Sequence, residues 1–99
     1  MASLPTFLRF SDGQPARLEV EVYGEPTPVV TWFKDNVMIR NSNNMQISSN
    51  GTVHSLKIPE IFTEDSGVYK VVVASPLGKF ESECEVKVEG KIKLKFINI

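Results

Sequence analysis

Hydrophobic and polar residues alternate along most of this 99-residue chain, which is the pattern of β-strands that bury one face. Within residues 16–23, for example, Leu18, Val20 and Val22 fall on one side and charged residues fall on the other. Segments with this alternation, or with a short apolar run, lie at residues 16–23, 29–33, 37–40, 45–48, 52–58, 68–74 and 79–88. Many short strands separated by turn residues predict an all-β sandwich.

The segments also differ in ways that predict their places in the sheets. Residues 68–74 are the most apolar and are expected to form a central strand. The Asn50–Gly51 pair predicts a two-residue hairpin with a type I′ turn, because both residues tolerate a positive φ. Residues 79–88 place Ser82, Cys84, Val86 and Val88 inward and Glu81, Glu83 and Glu85 outward. We interpret this acidic row as the solvated edge of a sheet.

Two aromatic residues give the predicted sandwich a centre. Trp32 lies in the strand that follows the turn at residues 24–28, where its ring can fill the space between two sheets. Asp65, Gly67 and Tyr69 stand at alternate positions in "EDSGVYKV", which is the arrangement of a tyrosine corner. In such a corner the phenol hydroxyl bonds back to the main chain, and Leu56 lies on the strand that would support it.

The segments "GEPTPVVTWFKD", "LKI", "EDSGVYKV" and "ASPLGKFESECEVKV" together resemble the intermediate-set immunoglobulin domains of muscle and cytoskeletal proteins. Titin, obscurin, twitchin, myomesin and palladin contain such domains, and the resemblance covers roughly residues 13–89. It implies a Greek-key immunoglobulin-like sandwich. The two positions where the family often carries a disulfide are Val20 and Val71 in this chain.

The cysteine content agrees with that double replacement. Cys84 is the only cysteine, so the chain cannot form an internal disulfide, which favours a reducing compartment. A bond closing a loop of about 50 residues would contribute about 4 kcal/mol. Burying Val20 and Val71 against Trp32 contributes about 1.5–3 kcal/mol for each valine instead. We therefore expect a dry apolar core in place of the disulfide.

Residues suited to catalysis are too few to predict an enzyme. His54 is the only histidine, and Cys84 falls among the inward-facing residues, so neither predicts a catalytic group or a metal ligand. We predict no cofactor, since the sequence has no glycine-rich phosphate loop and no metal-spaced carboxylate cluster. With 11 basic and 12 acidic residues the net charge is −1, so neither nucleic acid nor a membrane is an expected partner.

Both ends depart from the family pattern. We divide the chain into an immunoglobulin-like domain at residues 1–90, with a shortened first strand, and a C-terminal extension at residues 91–99. Ile92, Leu94 and Phe96 alternate with lysines, so the extension predicts a β-strand. Three interpretations stay open: the extension folds back onto a sheet edge, it pairs with another chain as in a homodimer, or it is a linker.

The resemblance implies a non-catalytic structural and protein-interaction module of a giant sarcomeric or cytoskeletal protein, located in the cytoplasm. Its expected partners are neighbouring immunoglobulin or fibronectin-type modules and other sarcomeric proteins. One alternative is an extracellular adhesion or receptor domain, for which Asn50-Gly51-Thr52 would be a glycosylation acceptor. A second alternative is a domain that flanks a muscle-type kinase.

Overall fold

The structure, a computed structural model, describes residues 3–90, which form two β-sheets and a single 3₁₀ turn at Thr63–Asp65. The strands are β1 Phe7–Ser11, β2 Gln14–Glu21, β3 Val29–Lys34, β4 Val37–Met38, β5 Gln46–Asn50, β6 Val53–Ile61, β7 Gly67–Ser75 and β8 Gly78–Glu89. The prediction of an all-β sandwich is confirmed.

The larger sheet has the strand order β1-β8-β7-β3-β4, and the smaller sheet has the order β2-β6-β5. β1 pairs with β8 in parallel, from Phe7 opposite Glu85 to Ser11 opposite Glu89. The remaining strand pairs of the described residues are antiparallel. β7 lies in the middle of the larger sheet, as the apolar run at residues 68–74 predicts.

The core lies between the two sheets and is built by the inward-facing residue of each alternating pair. Its buried members are Leu4, Ala16, Leu18, Val20, Val22, Trp32, Leu56, Ile58, Ile61, Tyr69, Val71, Val73, Cys84, Val86 and Val88. Cys84 is a free thiol in this core, so the sandwich has no disulfide. Apolar burial at about 25 cal/mol per Å² therefore has to hold the sheets together.

One hairpin turn differs from the sequence prediction. Gly51 and Thr52 form the loop between β5 and β6, and Gly51 alone has a positive φ, of 63°. A glycine at the first loop position is typical of a type II′ turn, so the type I′ prediction at Asn50–Gly51 was wrong. Positive φ values at two successive residues, 49° and 66°, occur instead at Asp35 and Asn36 between β3 and β4.

The acidic row of β8 lies largely where the sequence predicts it. β1 pairs only with residues 85–89 of β8, so Glu81 and Glu83 stand on a stretch that has β7 on one side and no described strand on the other, whereas Glu85 lies between two strands. The side chains of all three glutamates are exposed. β2 forms an outer edge of the smaller sheet, since no described strand pairs with its free side. β2 has a free side because β1, the strand before it in the chain, pairs with β8 in the larger sheet.

Candidate interaction surface

The side chain of Tyr69 anchors the connection between the two sheets. It is buried, and its hydroxyl donates a hydrogen bond of 2.7 Å to the main-chain oxygen of Asp65. Burial, together with the negative charges of Asp65 and Asp35, raises the pKa of the Tyr69 phenol well above its usual range. The phenol is therefore a neutral hydrogen-bond donor, and it forms the tyrosine corner that the sequence predicts.

Asp35 joins the β3–β4 turn to the start of β7. Its carboxylate Oδ1 accepts a 2.9 Å hydrogen bond from the Val68 N–H, and its own N–H donates to the Val68 carbonyl at 2.9 Å. Gly67 fits beside it because a Cβ at that position would lie 2.6 Å from Asp35 Oδ2. Sequence reasoning missed this contact, although the Asp35–Asn36 pair itself signals a turn with positive φ.

Other side chains bond to the main chain at the same end of the sandwich. The N–H of Phe62 donates to Asp65 Oδ2 at 2.9 Å, and the N–H of Thr63 donates to Asp12 Oδ1 at 3.1 Å. The Val88 N–H donates to Ser66 Oγ at 2.9 Å. We call this region, residues 11–14, 34–37, 62–68 and 88–90, the corner end. Its turns are held by contacts between segments that are far apart in the sequence.

The opposite end of the sandwich presents apolar side chains to solvent. Residues 22–29, 50–53 and 75–80 meet there, and we call this region the loop end. Tyr23 is 61% exposed, Val29 67%, Leu77 80% and Phe80 36%. Tyr23, Leu77 and Phe80, with two prolines of the 22–29 segment, line a shallow open concavity. Exposed apolar surface of this kind is typical of protein–protein contact sites.

The outward face of the larger sheet carries charges beside apolar groups. Lys70 Nζ lies 5.2 Å from the centre of the Phe33 ring, and Lys79 Nζ lies 3.1 Å from Glu81 Oε1. The hydrogen bond from Lys79 lowers the pKa of the Glu81 carboxyl. Because these groups are solvated, their pairing contributes little to stability and is free to rearrange around a partner.

The core residues predicted from the sequence are brought together, but they form no reactive site. Val20, Trp32, Leu56, Val71 and Cys84 are each at most 3% exposed, and Trp32 lies opposite Val71 in the β3–β7 pair. Burial raises the pKa of the Cys84 thiol, which disfavours the nucleophilic thiolate. Asp65 is half-buried at the corner end. Ile92, Leu94 and Phe96 lie outside the described residues.

The described part of the chain, residues 3–90, has no cluster of three or more histidine, cysteine, aspartate or glutamate side chains suited to a metal ion. It also has no helix that is long and apolar enough to span a membrane. The indole Nε1 of Trp32 is buried without a hydrogen-bond partner among these residues.

Comparison with known sequences identifies relatives among muscle and cytoskeletal proteins. The Immunoglobulin I-set domain family matches residues 1–88. Palladin from Mus musculus is 36% identical over 97 residues, covering 88% of this chain, and nexilin from Homo sapiens is 32% identical over 80 residues, covering 81%. Smooth muscle myosin light chain kinase from Gallus gallus is 35% identical over 81 residues, covering 82%. The chain spans 7%, 12% and 4% of the lengths of these three relatives, respectively.

Comparison with solved structures gives the same family of folds. The crystal structure of the titin domains Z1Z2 in complex with telethonin superposes with a TM-score of 0.88 and 37% identity, over 92% of this chain and 46% of that chain. The complex of titin M10 with the obscurin-like 1 immunoglobulin domain gives a TM-score of 0.85 and 27% identity, over 92% and 93% of the two chains. Both neighbours are immunoglobulin domains in complexes with other proteins.

Proposed function

This chain belongs to the immunoglobulin I-set domain family, and from that premise we propose that it is a non-catalytic spacing and protein-interaction module of a sarcomeric or cytoskeletal protein. The observation that carries the proposal is the match of 92% of the chain to a titin Z1Z2 domain, with a TM-score of 0.88. The relatives palladin and nexilin support the same assignment.

The pairing of β1 with β8 supports a mechanical role. These strands are parallel, so the N-terminal end of β1 and the C-terminal end of β8 lie at opposite ends of the ladder. Tension applied through the two chain ends therefore pulls the strands along their length, and the hydrogen bonds of the ladder are loaded together. A load shared by several hydrogen bonds is resisted far better than one applied to a single bond at a time.

The loop end supports a role in binding other protein domains. Its exposed apolar side chains, Tyr23, Leu77 and Phe80, form a surface that a neighbouring module can cover. Structural neighbours bind telethonin and an obscurin-like 1 immunoglobulin domain, and we propose partners of the same kind for this chain. The net charge of −1 supports a protein partner over nucleic acid or an acidic membrane. A homodimer through residues 91–99 is a further hypothesis for the same module.

A cytoplasmic location follows from the same proposal. The valines at positions 20 and 71 and the single buried thiol of Cys84 allow the domain to fold without oxidation. The extracellular alternative predicts a glycan on Asn50, which is exposed at the end of β5. The kinase-flanking alternative is favoured by the 35% identity to a segment of smooth muscle myosin light chain kinase.

Expression of the 99-residue chain in striated muscle cells, as a fluorescent fusion, tests the location and class of function. We expect the fusion to associate with myofibrils or actin bundles. Secretion of a form that carries a glycan on Asn50 would favour the extracellular alternative. A uniform distribution in the cytosol that is unchanged by substitution of Leu77 would argue against the interaction module.

Single-molecule pulling tests the mechanical part of the proposal. The Thr6 carbonyl accepts a hydrogen bond from the Glu85 N–H, and the Asp12 N–H donates to the Glu89 carbonyl, so alternate main-chain groups of β1, including those of Leu8, point toward β8. Leu8→Pro removes one ladder donor, and we expect a lower unfolding force. Leu8→Ala controls for the lost side chain, and Arg9→Pro controls for proline itself. Equal forces for all three variants would contradict a load-bearing ladder.

A further inference from the structure

Among the outer strands of the described sandwich β2 is the longest, and it begins close to the C-terminal end of β8. β2 pairs with β6 on one side, from Gln14 to Glu21, and no described strand pairs with its other side. An exposed edge of eight residues presents unpaired N–H and C=O groups that can accept another strand. Pro15 removes a donor near the beginning of β2, which leaves residues 16–21 able to pair.

The end of β8 delivers the chain to the beginning of β2. The Asp12 N–H donates to the Glu89 carbonyl at 3.0 Å, and the Gly13 N–H donates to the Ile61 carbonyl at 2.7 Å. Gly90 lies beside Asp12, close enough that an added Cβ would be 3.7 Å from Asp12 Oδ2. β1 runs parallel to β8, and after Asp12 and Gly13 the chain turns back to form β2 in the opposite sheet. A chain that also turned back after Gly90 would run beside β2 from its first residues.

We propose that residues 91–99 of the same chain bind to this free edge as a strand parallel to β2 and extend the smaller sheet to four strands. The segment is nine residues long and the part of β2 able to pair, residues 16–21, is six, so three residues remain for the crossing from β8 to the smaller sheet. At about 3.3 Å per residue, nine residues span about 30 Å, which is enough to follow the whole of β2.

The alternation of the segment matches the two sides of that edge. Between the sheets beside β2, Phe10, Ala16, Leu18 and Arg17 line a narrow slot of about 10 Å³, which is smaller than one side chain. Ile92, Leu94 and Phe96 would cover the slot, and the lysines that alternate with them would then face outward. The outward residues of β2 include Glu19 and Glu21, which complement this positive charge.

The neighbouring edge of β1 fits the same segment less well. β1 is five residues long, and its outward residues include Arg9, which would face lysines. Arg9 already pairs with Glu89 at 3.3 Å, so that carboxylate is not free to receive them. On β2, Arg17 pairs with Glu19 in the same way, at 3.7 Å, but this row carries a second carboxylate, Glu21, which accepts a 3.4 Å hydrogen bond from the Thr52 hydroxyl. Length and charge both favour β2.

Hydrogen exchange of the intact 99-residue chain tests the pairing without any substitution. We expect the amides of residues 92–96 to exchange at least about tenfold more slowly than in an unstructured peptide, independent of protein concentration. Truncation after Glu89 should speed the exchange of the outward amides of β2 and leave those of β1 unchanged. Unprotected amides at 92–96, or a change confined to β1, would overturn the proposal.

Disulfide trapping distinguishes the same chain from a second copy. We expect the Glu19→Cys chain to form an intramolecular disulfide with either Lys93→Cys or Lys95→Cys on mild oxidation, since one of these should lie opposite it. The same cysteines paired with Arg9→Cys are the matched control and should remain reduced. Dimers that form in proportion to protein concentration would identify a second copy as the occupant and overturn the proposal, as would trapping through Arg9→Cys alone.

Discussion

The corner end and the loop end of the sandwich are made from the same strands, yet they are stabilised in different ways. At the corner end, side chains such as Asp35, Asp12 and Ser66 bond to the main chain of distant segments. At the loop end, the Val22 N–H donates a 2.8 Å hydrogen bond to the Thr52 carbonyl, and the side chains of Tyr23 and Leu77 are exposed. One end is completed by contacts within the domain, and the other leaves apolar side chains exposed.

If the loop end binds a partner as proposed, this difference separates the residues that stabilise the domain from those that bind. Turns held by hydrogen bonds between distant residues resist local opening, so the corner end keeps the two sheets aligned. The loop end contributes little to that alignment, and its side chains can change with the partner at small cost to the fold. Substitutions at the two ends should therefore differ in kind, and the predictions below are ordered from the largest expected effect to the smallest.

Removing the side chain of Trp32, which lies in the core between the two ends, should have the largest effect on stability. Trp32→Ala empties the centre of the core, and we expect a loss of about 3–5 kcal/mol in the free energy of unfolding. Trp32→Phe should cost less, because the buried indole N–H has no partner among residues 3–90 and phenylalanine removes that unpaired group. Urea denaturation followed by circular dichroism measures both. A cost below about 1 kcal/mol for Trp32→Ala would show that the ends do not share this core.

The second prediction compares one exposed acidic residue from each end. Asp35→Ala removes the acceptor of the Val68 N–H, and we expect a loss of about 1 kcal/mol in the free energy of unfolding. Glu25→Ala at the loop end should change it by less than about 0.5 kcal/mol. The same denaturation experiment compares the pair, and equal costs would remove the distinction between the ends.

The third prediction uses pH to probe the corner end. The pKa of Tyr69 is raised in the folded state by burial, whereas in the unfolded chain it is about 10. Below pH 10 the phenol is neutral in both states, and its contribution to the free energy of unfolding is complete. Above pH 10 the unfolded chain ionises first, so the domain loses about 1.4 kcal/mol of stability for each pH unit until the folded phenol also ionises. Denaturation at pH 8 to 11 should show this loss.

The matched variant for this pH dependence is Tyr69→Phe. It should be about 1 kcal/mol less stable at pH 8, because the bond to the Asp65 carbonyl is lost, and its stability should fall less steeply above pH 10. The pKa of Cys84 is also raised by burial, so part of the alkaline loss remains in this variant. Identical slopes for the two proteins would mean that Tyr69 is not the titrating anchor.

The smallest effect on stability is expected at the loop end. Leu77→Ser should change the free energy of unfolding by less than about 0.5 kcal/mol, because the leucine is 80% exposed. It should nevertheless reduce the binding of the apolar dye anilinonaphthalene sulfonate, which reports exposed hydrophobic surface. Met38→Ser on β4 is the control for a single exposed apolar residue. A large loss of stability in Leu77→Ser would place that side chain in the core network.

Much of the fold could be predicted from local sequence patterns. Alternation identified the strands, and the spacing of Trp32, Asp65 and Tyr69 identified the sandwich and its corner. Contacts between distant segments were not predictable in this way. Asp35 bonds to a residue 33 positions away, and β1 pairs in parallel with residues 85–89 of β8. Neither contact leaves a periodic signal. The loop end was also missed, because exposed apolar residues in turns have no fixed spacing.

The two valines at positions 20 and 71 also determine how far the domain can extend once it unfolds under tension. A disulfide between these positions would keep the roughly 50 residues between them out of the extended chain. Without that crosslink the whole chain can lengthen, at about 3.3–3.6 Å per residue, which is roughly 300 Å for residues 3–90. The replacement of sulfur by apolar contact thus gives the module a full reserve of length, and that reserve is independent of the redox state of its surroundings.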